Sequence, residues 1–130
     1  MSRRFHLEKC GLVTRTYEPR DQEQAWSLHL EGLRDTGALL PESQPAWDDD
    51  LRHIEEVYLG EGSHFWIVEE RGRIIGMTAV RRLGPETAEL KRMRVTADKR
   101  RTGIGQWLLD IAEQFCRRHG YKRVVLDTTD

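Results

Sequence analysis

The chain has 130 residues, 38% hydrophobic and 33% charged, and a net charge of −1. These values fit one folded domain spanning residues 1–130 and exclude a disordered or fibrous polymer. No apolar run approaches the roughly 18 residues of a membrane-spanning helix, so no membrane partner is expected. Basic residues open the N-terminus, but no apolar stretch follows to make a secretory signal. Cys10 and Cys116 fit no metal or redox spacing, and a reducing, cytoplasmic setting with no metal is the expectation.

In chain order, "LVTRTY" at 12–17 alternates apolar and polar side chains and predicts a half-buried strand. Asp21 offers an N-cap for a helix over 22–35, with Trp26, Leu30 and Leu33 on one face. A second helix is expected over 46–59, where Trp47, Leu51, Ile54 and Tyr58 fall together behind an acidic first turn, "WDDD". "HFWIVEE" at 64–70 is a continuous apolar run, suited to a strand covered on both faces. Arg71 and Gly72 then turn the chain into a strand over 73–83, and Gly84 and Pro85 turn it into another over 87–95. Alternation falters at Leu90 and Lys91, which marks a bulge there.

The next helix, over 104–119, has the strongest pattern. Ile104, Trp107, Leu108, Ile111, Ala112, Phe115 and Cys116 share one face, and Gly120 closes it. "YKRVVLDTT" supplies a last strand over 123–128. The unit 87–95, 104–119, 123–128 has the lengths of a right-handed βαβ crossover. The fold class is therefore α/β in the mixed α+β sense, a central mixed sheet flanked by helices. Trp26, Trp47, Trp66 and Trp107 read as core, while His29, His53, His64 and His119 have no ligand spacing and read as packing or surface residues.

Charge is uneven along the chain. Between Lys91 and Arg101 six basic residues face one acid, a window of +5 that leaves −6 on the other 119 residues. A local basic patch on an acidic protein points to a small anion more than to a nucleic acid track, and the chain lacks the basic aromatic platform a nucleic acid would use. The stretch "DKRRTGIGQWLL" at 98–109 sharpens this. A helix mouth exposes unpaired N–H groups and partial positive charge, Gly103 and Gly105 let an anion approach the backbone, and Arg100 and Arg101 add charge-assisted bonds. A pyrophosphate fits. Neither a P-loop nor the complete dinucleotide fingerprint is present.

With "ELKRMRV" before it, the run Arg100, Arg101, Thr102, Gly103, Ile104, Gly105 resembles the acetyl-CoA motif of the GNAT superfamily of N-acetyltransferases. The resemblance spans nearly the whole chain and is most specific over 89–109. It departs from the common pattern at Ala97, often proline, and at Arg101, often glycine. It implies a GNAT-like fold with acetyl-CoA as co-substrate, wedged between the strands at 87–95 and 123–128. The backbones of Met93 and Val95 would pair with pantetheine, while the amides of Arg101 to Gly105 and the Arg100 side chain would hold the pyrophosphate.

The implied reaction is transfer of an acetyl group to a primary amine of a small molecule or peptide. It needs an amine held in place, its proton removed and an oxyanion stabilised. Glu89 is the candidate base, directly or through water. It shares a sheet face with Val95 only if no bulge intervenes, and otherwise reads as an acid paired with Lys91 or Arg92. Asp49, Asp50 or Glu31 could attract a cationic amine. A domain that binds acyl-CoA or a metabolite without turnover is the alternative. GNAT domains usually continue with a further helix and strands, so "RVVLDT" is expected at a raw sheet edge, covered by further chain or by a second copy in a homodimer.

Overall fold

The structure, a computed structural model, describes residues 5–36 and 50–126, with backbone alone for 33–36. Six strands lie side by side in chain order: β1 (His6–Lys9), β2 (Leu12–Thr16), β3 (His64–Glu70), β4 (Arg73–Arg82), β5 (Thr87–Val95) and β6 (Arg123–Leu126). Neighbours are antiparallel except β5 and β6, which run parallel and so need the crossover helix predicted between them. The helices are α1 (Gln22–Thr36), α2 (Ile54–Tyr58) and α3 (Ile104–Arg118). None of the described helices is long and apolar enough to cross a membrane.

Two hairpins share one turn chemistry. Cys10–Gly11 and Arg71–Gly72 are two-residue connections with positive φ at both positions (54° and 79°, 52° and 81°). Turns of that hand match the twist of the strands they join. β1 is an element the sequence pattern does not reveal: all four of its residues are exposed, so no apolar alternation exists to read.

The sheet divides the core. On one face Tyr17, Phe65, Ile67, Met77 and Ala79 pack with Ala25 and Leu28 of α1 and Ile54 and Tyr58 of α2. On the other, Trp66, Val80, Ala88 and Leu90 meet Ile111, Ala112 and Cys116, and Val68 and Ile75 meet Ile104 and Leu108. β3 and β4 are thus covered twice, as the apolar run at 64–70 requires. At roughly 1.5–3 kcal/mol per buried large side chain, these layers dominate the favourable free energy. Gly76 lets α3 settle at its first turn, since a Cβ there would lie 3.1 Å from Ile104 Cγ2. α3 ends in paired bonds, Gly120 N–H to the Arg117 carbonyl and Tyr121 N–H to the Cys116 carbonyl, which satisfy its last turn.

Several expectations shift. The buried face of α1 is Ala25, Leu28, His29 and Gly32, while Trp26 and Leu30 are half-buried; the Leu33 side chain lies outside the described residues. Of the helix expected over 46–59, residues 46–49, with Trp47, fall outside the described residues; 50–52 form a 3-10 turn and only Ile54–Tyr58 are α-helical. Asp21 does not cap α1. It ends the 3-10 turn Pro19–Asp21, accepts the Glu18 N–H at 2.8 Å and holds Arg15 through two bonds of 2.7 and 2.8 Å. β6 forms the described edge, with Val124, Val125 and Leu126 exposed.

Candidate active site

The bulge in β5 organises everything near it. Ala79 faces Lys91 and Met77 faces Arg94, so Thr78 stands opposite two residues, Arg92 and Met93. The expected site of the irregularity, Leu90–Lys91, is therefore early; the extra residue enters at Arg92, whose φ is 58°. Arginine carries no sequence mark for that conformation, and a charge from far away stabilises it. The Arg92 guanidinium donates to Asp50 through Nε (2.9 Å) and Nη2, and the Tyr58 hydroxyl donates to Asp50 Oδ2. All three side chains are largely buried. Burial alone would raise the Asp50 pKa, but the bonds from Arg92 and Tyr58 outweigh it and hold the carboxyl below its ordinary range.

The bulge also decides where Glu89 points. Ala79, opposite Lys91, belongs to the core under α1 and α2, and Glu89 shares that face by the two-residue period. Val95 packs with Ile104 and Leu108 on the α3 face. Glu89 and Val95 thus lie on opposite faces, the outcome a bulge dictates. The Glu89 carboxylate is half-buried, 3.7 Å from Lys91 Nζ.

Beyond the bulge, β5 presents backbone at its far side. The Thr96 N–H bonds to the Ile75 carbonyl of β4 at 2.9 Å, so by alternation Arg94 and Thr96 direct their backbone groups at β4 while Met93 and Val95 direct theirs away. Pairing with β6 covers Thr87 to Leu90 among the described residues and stops short of both. The Met93 carbonyl accepts from Arg94 Nη1 and the Val95 carbonyl from Arg100 Nε, each at 3.3 Å.

From β5 the chain makes a 3-10 turn, Ala97–Lys99, and enters α3 through Arg100 to Gly103. Arg101 has φ 65°, a left-handed conformation that glycine adopts at less cost. Gly103, the N-cap of α3, has φ 92°. A Cβ at Gly103 or Gly105 would meet nothing within 4 Å, so nothing in the chain itself calls for the missing side chain at Gly105. Arg100, Arg101, Thr102 and Gly103 are exposed; the Thr102 hydroxyl donates to the Lys99 carbonyl. Ile104 is buried against Val68 and Ile75, leaving only its backbone to serve a ligand.

The profile of the "Acetyltransferase (GNAT) family" matches residues 21–130. The chain belongs to that family. Human N-acetyltransferase 8 is 35% identical over 85 residues, and mouse N-acetyltransferase 8 is 36% identical over 85; each match covers 61% of this chain and 37% of the relative. The matched part therefore spans well under half the length of these curated relatives. An acetyltransferase of Streptococcus agalactiae superposes with TM-score 0.82 at 27% identity, over 92% of this chain and 74% of that one. An acetyltransferase of Clostridium acetobutylicum, solved with acetyl-CoA, shares the fold at TM-score 0.73 and 20% identity, over 90% and 80%.

Against the GNAT motif, the linear run 100–105 is assembled as one loop and helix mouth, exposed at 100–103, next to the outward edge of Met93 and Val95. Glu89 stands apart, on the α1–α2 face. The three carboxylates considered for an amine fare differently. Asp49 lies outside the described residues, Asp50 is spent on Arg92 and Tyr58, and Glu31 Oε1 accepts the Ala97 N–H at 3.1 Å. Of the six cations between Lys91 and Arg101, Lys91, Arg92 and Lys99 are in ion pairs with Glu89, Asp50 and Glu70, which weakens the reading of the window as a nucleic acid patch. Sequence reasoning missed the Asp50–Arg92–Tyr58 group and the Glu31–Ala97 contact, because both join residues distant in the chain.

Proposed function

We propose that this chain is the catalytic domain of an acetyl-CoA-dependent N-acetyltransferase acting on a primary amine of a small molecule or peptide. The observation that carries this reading is the mouth of α3. Left-handed Gly103 and unobstructed Gly105 bare the first helical amides beside the outward backbone of Met93 and Val95. Arg101 to Gly105 would bind the pyrophosphate through their N–H groups with help from the Arg100 guanidinium, and Met93 and Val95 would bind pantetheine as a neighbouring strand does.

The co-substrate supplies an acetyl group already activated as a thioester. The chain's share is to orient the amine and take its proton. Glu89 is suited to the second task, because its half-buried carboxylate lies on the α1–α2 face, a few residues from the strand edge assigned to pantetheine.

The Glu89–Lys91 ion pair favours a second reading, an acyl-CoA-binding module without turnover, in which that carboxylate serves structure alone. Thiol release from acetyl-CoA, followed across a panel of small amines and N-terminal peptides, separates the two. Amine-dependent release supports the transferase. Saturable acetyl-CoA binding with no release from any amine contradicts it and supports the module.

A further inference from the structure

Adjacent residues of α1 meet the end of β5 and the cofactor loop that follows it. Gly32 lies so close to Arg94 that a Cβ would stand 2.5 Å from Arg94 Cδ, and its neighbour Glu31 reaches Ala97. Ala97 opens the 3-10 turn, so its N–H has no partner inside that turn and the Glu31 carboxylate supplies one. Two other ties hold the same loop from the β3–β4 side. Asp98 accepts two bonds from Arg73, at 2.9 and 3.1 Å, and Lys99 Nζ lies 2.8 Å from Glu70 Oε1.

We infer that Glu31 is a positioning residue for the cofactor loop, holding it through the backbone N–H of Ala97 so that the placement of α1 and the affinity for coenzyme A are coupled. This rests on the reading that residues 100–105 hold the pyrophosphate. The Glu31 tie differs from the other two in its origin: it comes from the helix flanking the face that carries Glu89. Any shift of α1 when an amine enters would pull on the loop, and by linkage a bound anion would steady α1.

The geometry supplies a clean test, because proline fits at position 97. Thr96 has φ −60° and ψ 150°, the extended conformation required before proline, and Ala97 is the first residue of a helical turn. Ala97→Pro removes the donor, and its Cδ, taking the place of the amide hydrogen, turns the Glu31 carboxylate away, so the tie is lost from both ends. Calorimetry with coenzyme A is run on wild type, Glu31→Ala, Glu31→Gln, Ala97→Pro and both double variants, beside melting curves and the KM and kcat for acetyl-CoA.

Glu31→Ala should weaken coenzyme A binding about three- to tenfold, the scale of one exposed hydrogen bond, and raise KM with kcat retained. Glu31→Gln, which keeps an acceptor oxygen, should restore most of the affinity. In the Ala97→Pro background neither Glu31 change should matter further. An undiminished effect of Glu31→Ala in that background, or an affinity within twofold of wild type for Glu31→Ala alone, overturns the inference. If wild type itself binds no coenzyme A, the cofactor reading fails first and the inference falls with it.

Discussion

At the scale of single residues, the site depends on what is missing and on one carboxylate. Arg101 and Gly103 are left-handed, and Gly103 carries the turn into α3 that a side chain would strain. Glu89 can be tested without disturbing that turn. Glu89→Gln keeps the size and the polar head of the side chain but removes the base, so turnover should fall about 10²–10⁴-fold. Coenzyme A affinity by calorimetry should hold. Turnover within a few-fold of wild type would mean that Glu89 is the structural partner of Lys91. The sequence named Glu89 and the run 100–105 because their spacing is linear; it could not say which face Glu89 takes, because that depends on a bulge one arginine wide.

Among elements, the decisive joint is β5 against the segment 50–58. Asp50 and Arg92 are 42 positions apart, and no local pattern announces their pairing. Breaking a buried pair strands the remaining charge at a cost of about 3–5 kcal/mol. Asp50→Ala should lose stability on that scale in urea unfolding, and a loss below about 1 kcal/mol would show that the bulge stands without it.

A second joint ties the N-terminal hairpin to β3. The Phe5 N–H donates to Thr16 Oγ1 at 2.7 Å, and that hydroxyl sits 2.8 Å from buried His64 Nε2. Burial, with some repulsion from His119, lowers the His64 pKa to about 4. The unfolded chain then takes up the proton first, near its ordinary value of about 6.5, so stability present at pH 7 drains away as pH falls toward 4. Moving from pH 7 to pH 5 should cost about 2 kcal/mol from this group. His64→Gln should remove that part of the slope. An identical pH dependence in the variant would contradict the assignment. Asp50, depressed in the fold, adds a further loss below its ordinary unfolded value, where it too must be protonated.

For the whole molecule, the sheet acts as a partition. One face, under α1 and α2, carries Glu89; the far edge of β5 and the mouth of α3 offer backbone to an anion. The sheet's central strands and α3 were legible because burial writes a period of two or 3.6 into the side chains, and β6 because its apolar run follows α3 at the length of a crossover. β1 was not, since its exposed residues carry no such period, and the ties at Asp50–Arg92 and Glu31–Ala97 were not, since contacts between residues distant in the chain leave no local trace.

The central claim is that the α3 mouth is a pyrophosphate cradle, and Gly105 tests it most directly. A Cβ there meets nothing within 4 Å beyond its own stretch of helix, so Gly105→Val should fold and melt at no lower temperature than wild type. Isothermal titration of acetyl-CoA into both proteins should then show saturable binding by wild type and none, or binding at least tenfold weaker, by the variant. Equal affinities in two folded proteins would contradict the claim.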